Sequence, residues 1–162
     1  MSIVLARIDS RLVHGQVLEA WVPHVNADCI VVANDEVAAA SFQCMVMQAA
    51  IPSSLKLIIG TLEETVSILS SAELLKKRVL LLFSTSDDAL KVRTLGVEYP
   101  KLNLGNMHSS DGKDRYTCTI ALDHEDIEKL QEIEMQGVKI VSQCVPADRE
   151  QGWQKLIRSG GR

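Results

Sequence analysis

The sequence predicts an α/β protein with three layers, in which a mostly parallel sheet of about seven strands carries helices on both faces and has an antiparallel edge. Short apolar runs alternate with longer amphipathic stretches along the chain, which indicates repeated strand–helix–strand units. Several runs are uniformly aliphatic, as in strands buried on both faces, and aromatic residues make up only 4% of the chain. The length of 162 residues favours a single domain, which we expect to span residues 1–162.

The predicted strands are the short apolar runs. They cover residues 2–8, 28–34, 55–60, 78–84, 101–105, 116–121 and 138–144. The run 78–84 is the most apolar of them and is predicted to be central. The runs 101–105 and 116–121 are joined by a polar loop with no room for a helix, so we expect an antiparallel pair at one edge of the sheet.

The predicted helices are the amphipathic stretches between the strands. They cover residues 15–24, 37–51, 61–77, 87–95, 125–136 and 149–158, and the tail 159–162 is expected to fray. Pro52 marks the end of the second helix. Thr61 followed by Glu64 has the spacing of a capping box, and Ser86 and Asp123 are the expected N-caps of later helices.

Composition excludes several classes of protein. The net charge is −4 and no cluster of Lys and Arg stands out, so a nucleic-acid partner is not expected. No apolar stretch approaches the roughly 18 residues of a membrane span, and the N-terminus lacks the pattern of a signal peptide. We therefore expect a cytoplasmic protein, which can still dock on a membrane protein.

The loop after the first strand carries the strongest chemical signal. In open α/β sheets, ligands bind beyond the carboxyl ends of the strands. There Arg7, Arg11 and His14 lie within eight residues and are followed by Gly15 and a predicted helix. Arginine and a helix N-terminus suit a phosphate, and a neutral imidazole nitrogen can attack phosphorus. A single histidine before a helix is often only a structural residue, so the pattern alone leaves both interpretations open.

Four segments together resemble a known family. Residues 7–17 read R-I-D-S-R-L-V-H-G-Q-V, which closely resembles R-I-D-D-R-L-I-H-G-Q-V, the active-site segment of component IIB of the bacterial phosphoenolpyruvate-dependent sugar phosphotransferase system, mannose/fructose/sorbose family. Residues 30–39 (IVVANDEVAA), 80–83 (LLLF) and 103–107 (NLGNM) are similar to further family segments. Ser10 and Asn106 depart from the family pattern, which has Asp and Gly there.

The resemblance implies that His14 is phosphorylated. It would accept the phosphoryl group from a phosphohistidine on a separate IIA protein and pass it to a sugar bound by membrane IIC/IID components. The implied activity is that of a protein-N(π)-phosphohistidine–sugar phosphotransferase, acting as the phosphocarrier component. The implied fold is a mostly parallel sheet of about seven strands with helices on both faces, in agreement with the apolar runs.

Other residues receive supporting roles on physical grounds. We expect Arg11 and the amides of Gly15 and Gln16 to contact phosphoryl oxygens. Arg7 either assists or forms a structural bridge with Asp9 or Asp35, and one of these carboxylates could orient the imidazole or an arginine. Further candidates for hydrogen bonds to the phosphoryl group are the hydroxyls of Ser84, Thr85 and Ser86.

The scheme requires no cofactor and no metal. We expect peripheral association with the inner face of the membrane through the transporter complex, and the apolar content permits a homo-oligomer. Two alternatives remain: a regulatory phosphohistidine module without a transport role, and a small-ligand binder with an inert His14. The phosphoryl interpretation requires that the ring not be sealed from solvent without an anion-sized pocket beside it.

Overall fold

A computed structural model describes residues 2–159, and a seven-stranded sheet forms its centre. The strand order is β3-β2-β4-β1-β5-β8-β9, in which β9 is antiparallel to β8 and all other pairs are parallel. The predicted fold class is thereby confirmed. The strands are β1 (Ser2–Asp9), β2 (Cys29–Ala33), β3 (Lys56–Gly60), β4 (Arg78–Phe83), β5 (Lys101–Asn106), β6 (Asp114–Arg115), β7 (Ala121–Leu122), β8 (Lys139–Ser142) and β9 (Gln151–Gly152).

Helices cover both faces of the sheet. A π-helical turn, Val17–Trp21, leads into the short helix α1 (Val22–Val25), and a 3₁₀ turn occupies Ala72–Leu74. The other helices are α2 (Asp35–Ala38), α3 (Ser41–Ala50), α4 (Leu62–Leu69), α5 (Ser86–Thr94), α6 (His124–Met135) and α7 (Trp153–Arg158).

Two apolar cores lie on opposite faces of the sheet. Successive side chains of a strand point to opposite faces, so Leu81 and Phe83 enter one core while Leu80 and Leu82 enter the other. Helices α4, α5, α6 and α7 pack on the first core, and the Val17–Trp21 turn packs on the second. The loop after β1 therefore starts from a strand that packs against an apolar core on each face of the sheet.

The antiparallel edge forms from other segments than expected. Strand β5 does not pair with residues 116–121; it lies inside the sheet, parallel to β1 and β8. Leu102 and Leu104 are fully buried there, which an edge position would not provide. The edge strand is β9, within the segment predicted as the start of the last helix, and β6 and β7 form a separate two-stranded hairpin.

Some helix boundaries differ from the prediction. The predicted helix 37–51 is two helices, because Asn34 caps α2 by accepting a hydrogen bond from the Val37 amide and the chain breaks after Ala38. The capping box of Thr61 and Glu64 is confirmed, although α4 ends at Leu69 rather than near residue 77. Thr85, not Ser86, caps α5, and Asp123 caps α6 as expected. Residues 160–162 of the predicted frayed tail lie outside the described residues.

Candidate active site

The sheet brings two charged residues to its carboxyl edge. Arg7 and Asp9 are two residues apart on β1, so they share a face, and both side chains are fully buried. Strand β5 pairs Arg7 with Asn103 and Asp9 with Asn106, with a register irregularity that leaves Gly105 as an extra residue. After β1 the chain continues toward one edge of the sheet, and after β5 it continues toward the other edge. Open α/β folds form their ligand sites at the carboxyl ends of two such neighbouring strands.

The loop after β1 doubles back over Asp9. Leu12 is buried and has a φ of 57°, which lies in the left-handed region that residues other than glycine rarely adopt. Its amide donates to the Asp9 carbonyl at 2.9 Å, and the Ser10 amide donates to the Asn106 carbonyl at 2.8 Å. Helical turns start at Gly15, which is exposed and has no atom within 4 Å of an added Cβ. The following π-helical turn is a form that often marks functional sites.

His14 is held through one ring nitrogen only. Its Nε2 lies 2.9 Å from Asp9 Oδ2, and because an ionised carboxylate can only accept, Nε2 carries the proton. In the neutral ring, Nδ1 then keeps a free lone pair. Within residues 2–159, this Nδ1 is the only buried side-chain nitrogen or oxygen without a hydrogen-bond partner. Such an orphaned atom in a folded protein requires an explanation, and a reacting nitrogen is one.

Asp9 is the acceptor at the centre of the site. Besides the His14 bond, Oδ2 accepts from Arg7 Nε at 3.2 Å and from Asn106 Nδ2 at 3.1 Å, while Oδ1 accepts from the Arg11 amide at 3.0 Å. Burial by itself raises the pKa of Asp9, but the hydrogen bonds from His14 and Asn106 and the charge of Arg7 outweigh it. The net pKa is below the ordinary value, so the carboxylate is ionised at neutral pH.

Arg7 is a buried structural cation in this structure. Its Nε donates to Asp9, Nη1 to the Asn103 side chain and the Gln143 carbonyl, and Nη2 to the Gln16 side chain and the Cys144 carbonyl. All five N–H groups of the guanidinium are thereby engaged. Of the two carboxylates that the sequence offered as its ion-pair partner, Arg7 pairs with Asp9 and not with Asp35.

The guanidinium of Arg7 is also fixed by packing. It lies 5.1 Å from the ring centroid of the buried Trp21. On another side it covers Gly105, where an added Cβ would stand 1.9 Å from Arg7 Cζ. Gly105 is therefore glycine because the guanidinium fills the space that a side chain would need.

Gln16 and Asn106 complete the network. Gln16 Oε1 accepts from Arg7 Nη2 and from Asn106 Nδ2, both at 3.3 Å, and Gln16 Nε2 donates to Cys144 Sγ at 3.4 Å. The side chain of Gln16 thus serves the buried network, while its backbone amide lies at the helix start. Asn106 was predicted only as a departure from the family pattern, and its contact with Asp9 was not expected from the sequence. Its place at the end of the strand beside β1 was the available signal.

Arg11 and His14 differ in exposure. Arg11 is exposed, and among the described residues its guanidinium has no hydrogen bond or ion pair. Together with Ser10 it borders a cavity of about 270 Å³ beside the loop. The His14 side chain is only 7% exposed and is not among the residues that line this cavity. An anion-sized pocket is therefore present next to the loop, but the ring itself is largely covered.

The other predicted residues lie elsewhere. Ser84, Thr85, Ser86 and Asp35 line a second cavity of about 430 Å³ at the ends of β2 and β4, and none of them contacts His14. Thr85 caps α5, Ser86 donates to Asp126 at 2.7 Å, and Asp35 accepts from the Leu62 amide. Seven carboxylates and only two lysines border this cavity, so it disfavours a phosphoryl group. The role of Ser84, Thr85 and Ser86 in phosphoryl binding stays a prediction, and the acidic lining of this cavity does not favour it.

Residues 2–159 contain neither a membrane-spanning helix nor a cluster of metal ligands. No helix in that range is long and apolar enough to span a membrane. Likewise, the described part of the chain holds no group of three or more His, Cys, Asp and Glu side chains arranged to bind a metal ion.

The fold and the site define a class: an α/β protein with an imidazole held by a buried carboxylate at the carboxyl ends of parallel strands. A family model described as "PTS system sorbose subfamily IIB component" matches residues 3–161. The chain therefore belongs to the sorbose subfamily of IIB components of the phosphotransferase system, as the sequence motifs indicated.

Similar proteins agree with this assignment. The sorbose-specific EIIB component of Klebsiella pneumoniae is 34% identical over 148 residues, which cover 91% of this chain and 90% of that protein. The crystal structure of the IIBSor domain of the sorbose permease from the same organism superposes with a TM-score of 0.92, at 32% identity, covering 98% of both chains. The mannose-specific EIIAB component of Escherichia coli (strain K12) is 29% identical over 157 residues, 97% of this chain and 49% of that protein.

Proposed function

We propose that this chain accepts a phosphoryl group on His14 from a phosphorylated IIA protein and passes it to a sugar bound by membrane IIC/IID components. The observation that carries the proposal is the asymmetry of the imidazole. Asp9 occupies Nε2, and Nδ1 is left with a free lone pair. Membership in the IIB family supports a role in phosphoryl transfer.

The first step is an in-line displacement. The Nδ1 lone pair forms a bond to phosphorus, the bond from phosphorus to the donor histidine breaks, and that electron pair returns to the donor nitrogen. The ring of His14 gains positive charge as the new bond forms. Asp9 lies 2.9 Å from Nε2 and stabilises that charge, as a carboxylate does for an imidazolium in other catalytic sites.

The second step reverses the roles. A sugar hydroxyl oxygen attacks the phosphorus, the bond to Nδ1 breaks, and its electron pair returns to the ring. The hydroxyl proton leaves to a base in the acceptor complex. His14 is then neutral again, with its Nε2 proton still held by Asp9, and is ready for another donor.

Arg11 and the loop amides are the groups that contact the phosphoryl oxygens. The Arg11 guanidinium has no competing partner, so its donors can bind two oxygens at once. The amides of Gly15 and Gln16 lie at the start of the helical turns. Arg7 has no free donor and acts as a positioning residue that keeps Asp9 ionised and in place.

Transfer also requires the loop to move. Nδ1 is buried here, so the loop around it must open before Nδ1 can reach a donor phosphorus, while the contact between Nε2 and Asp9 is kept. The left-handed Leu12 stores strain of about 1–2 kcal/mol, which lowers the cost of leaving this conformation. Gly15, with open space around it, is a suitable place for the change.

The wider context follows from the relatives. The E. coli EIIAB protein carries a matching segment in about half of its length, which supports a IIA protein as donor. We infer that residues 1–162 act as one phosphocarrier domain, located in the cytoplasm and bound peripherally to the membrane through its transporter. The relatives are named for sorbose and for mannose, so the sugar of this chain is left open.

Phosphorylation of variants tests the proposal. The chain is incubated with a phosphorylated IIA domain as the phosphoryl donor. His14→Gln should abolish acid-labile, base-stable phosphate. His124→Gln, at a histidine whose side chain is 84% exposed, is the matched control and should be phosphorylated like the wild type. Wild-type labelling of His14→Gln would overturn the assignment.

A further inference from the structure

A cavity beside the His14 loop has the lining of an anion site. It lies between the ends of β1 and β5 and the β6–β7 hairpin, and its volume is about 270 Å³. Because one water takes up about 30 Å³, this space holds an anion with part of its hydration shell. The lining residues are Ser10, Arg11, Asn106, Met107, His108, Ser109, Arg115, Cys118 and Thr119.

The charges around this cavity are one-sided. Arg11 and Arg115 supply two guanidinium groups and His108 an imidazole, while no Asp or Glu is among the lining residues. The hairpin does contain Asp111 and Asp114, but both are exposed and outside the lining. The cavity at the ends of β2 and β4 is bordered mainly by carboxylates. An anion at this edge of the sheet is therefore drawn to the cavity next to Arg11.

The donors in the cavity are free to bind. Among the described residues, the guanidinium of Arg11 and the ring of His108 have no hydrogen-bond partner. Arg115 donates only through Nη1, to the Cys118 carbonyl at 3.0 Å, which fixes the side chain and leaves Nε and Nη2 unused. An anchored guanidinium with free donors is preorganised for a phosphate, because little side-chain entropy is lost on binding.

The cavity is linked to the reacting histidine. Ser10 and Arg11 belong to the loop that carries His14, and Asn106 donates to the same Asp9 oxygen that holds the His14 ring. An ion pair connects the hairpin side of the cavity to α6, because Lys113 Nζ lies 3.1 Å from Asp126 Oδ2. A movement of the His14 loop would therefore change the wall of the cavity that Ser10 and Arg11 form.

We propose that this cavity is a noncovalent binding site for a phosphoryl dianion, with Arg115 and His108 as ligands beside Arg11. The proposal deepens the proposed function and rests on it only for the source of the anion. That source is either the phosphoryl group in transit to or from His14, or a free phosphate compound.

A titration with inorganic phosphate tests the site. Amide chemical shifts are followed by NMR at constant ionic strength, with chloride as the comparison ion. We expect saturable shifts in residues 10–11, 106–109 and 115–119. Arg115→Gln should weaken binding about tenfold, the effect of losing a charge-assisted hydrogen bond, and His108→Gln should weaken it less. Arg149→Gln is the matched control, because Arg149 is exposed and outside the cavity, and should bind like the wild type.

The outcomes are distinct. Absence of saturable shifts, shifts centred elsewhere, or wild-type affinity in Arg115→Gln would each overturn the site. If phosphorylation of His14 blocks added phosphate and Arg115→Gln slows transfer from phosphorylated IIA, the ligand is the group in transit. If phosphate still binds and transfer is unchanged, the ligand is a free phosphate compound. Phosphate binding in a protein that cannot be labelled on His14 would refute the proposed function but not this site.

Discussion

Replacing Asp9 by asparagine changes the centre of the site with almost no change of shape. Asp9 and Arg7 form an ion pair in which both side chains are fully buried. Removing one partner of such a pair leaves the other charge buried without compensation, which costs about 3–5 kcal/mol. Asp9→Asn should therefore lower the free energy of unfolding by about that amount.

The hydrogen bonds add to this cost. Asp9 Oδ2 accepts from Arg7, His14 and Asn106, and Oδ1 accepts from the Arg11 amide. An asparagine has one oxygen and one NH₂ group, so in either orientation its NH₂ faces a donor. At least one hydrogen bond is lost. The Nε2 proton of His14 is also held less firmly, so phosphorylation should be slower even where the variant is folded.

Urea denaturation measures the stability term. The matched control is Asp35→Asn, because Asp35 is an exposed carboxylate that accepts one backbone hydrogen bond, from Leu62 at 2.9 Å. That variant should lose no more than about 1 kcal/mol. If Asp9→Asn costs as little as Asp35→Asn, the buried ion pair of Arg7 and Asp9 does not stabilise the fold.

Four further outcomes are expected. Gly105→Ala should cost about 1–3 kcal/mol in denaturation experiments because its Cβ would collide with Arg7, whereas Gly15→Ala should change stability by less than about 0.5 kcal/mol. The pKa of Asp9 is lower in the folded protein than the ordinary carboxyl pKa of about 4, so its ionised form stabilises the fold above about pH 4. This stabilisation is lost as the pH falls through the lower folded pKa. In Asp9→Asn, the free energy of unfolding should therefore depend less on pH in this acid range. Asn106→Gly should raise the pKa of Asp9, measured by carboxyl NMR titration, because a hydrogen bond that lowers it is removed. Arg11→Gln should leave the urea midpoint unchanged, since its guanidinium has no described partner, but should slow labelling of His14.

The sequence was sufficient for the parallel sheet and for the presence of helices on both of its faces, but not for every helix boundary. Continuous apolar runs such as residues 79–83 are buried between two layers, so the parallel sheet follows from the pattern. The edge was not predictable in the same way. Gln151–Gly152 is a two-residue strand without an apolar pattern, and its pairing with β8 depends on tertiary contacts.

The site was predictable in its chemistry but only partly in its geometry. The loop motif singled out Arg7, Arg11 and His14, with Asp9 as one of two candidate supporting carboxylates, and the structure brings Asp9 and His14 into contact. Whether Arg7 faces a ligand or a carboxylate depends on the register between β1 and β5, which local sequence does not specify. The acidic surroundings of Ser84 come from α2, α5 and the start of α6, which only the tertiary fold brings together.

The central claim is that Nδ1 of His14 carries the phosphoryl group while Asp9 retains the proton on Nε2. Nitrogen-15 NMR of the phosphorylated protein, with long-range coupling from the ring protons, identifies the substituted nitrogen directly. We expect phosphorus on Nδ1 and a proton on Nε2 that exchanges with solvent faster in Asp9→Asn than in the wild type. Phosphorus on Nε2, or on a residue other than His14, would contradict it.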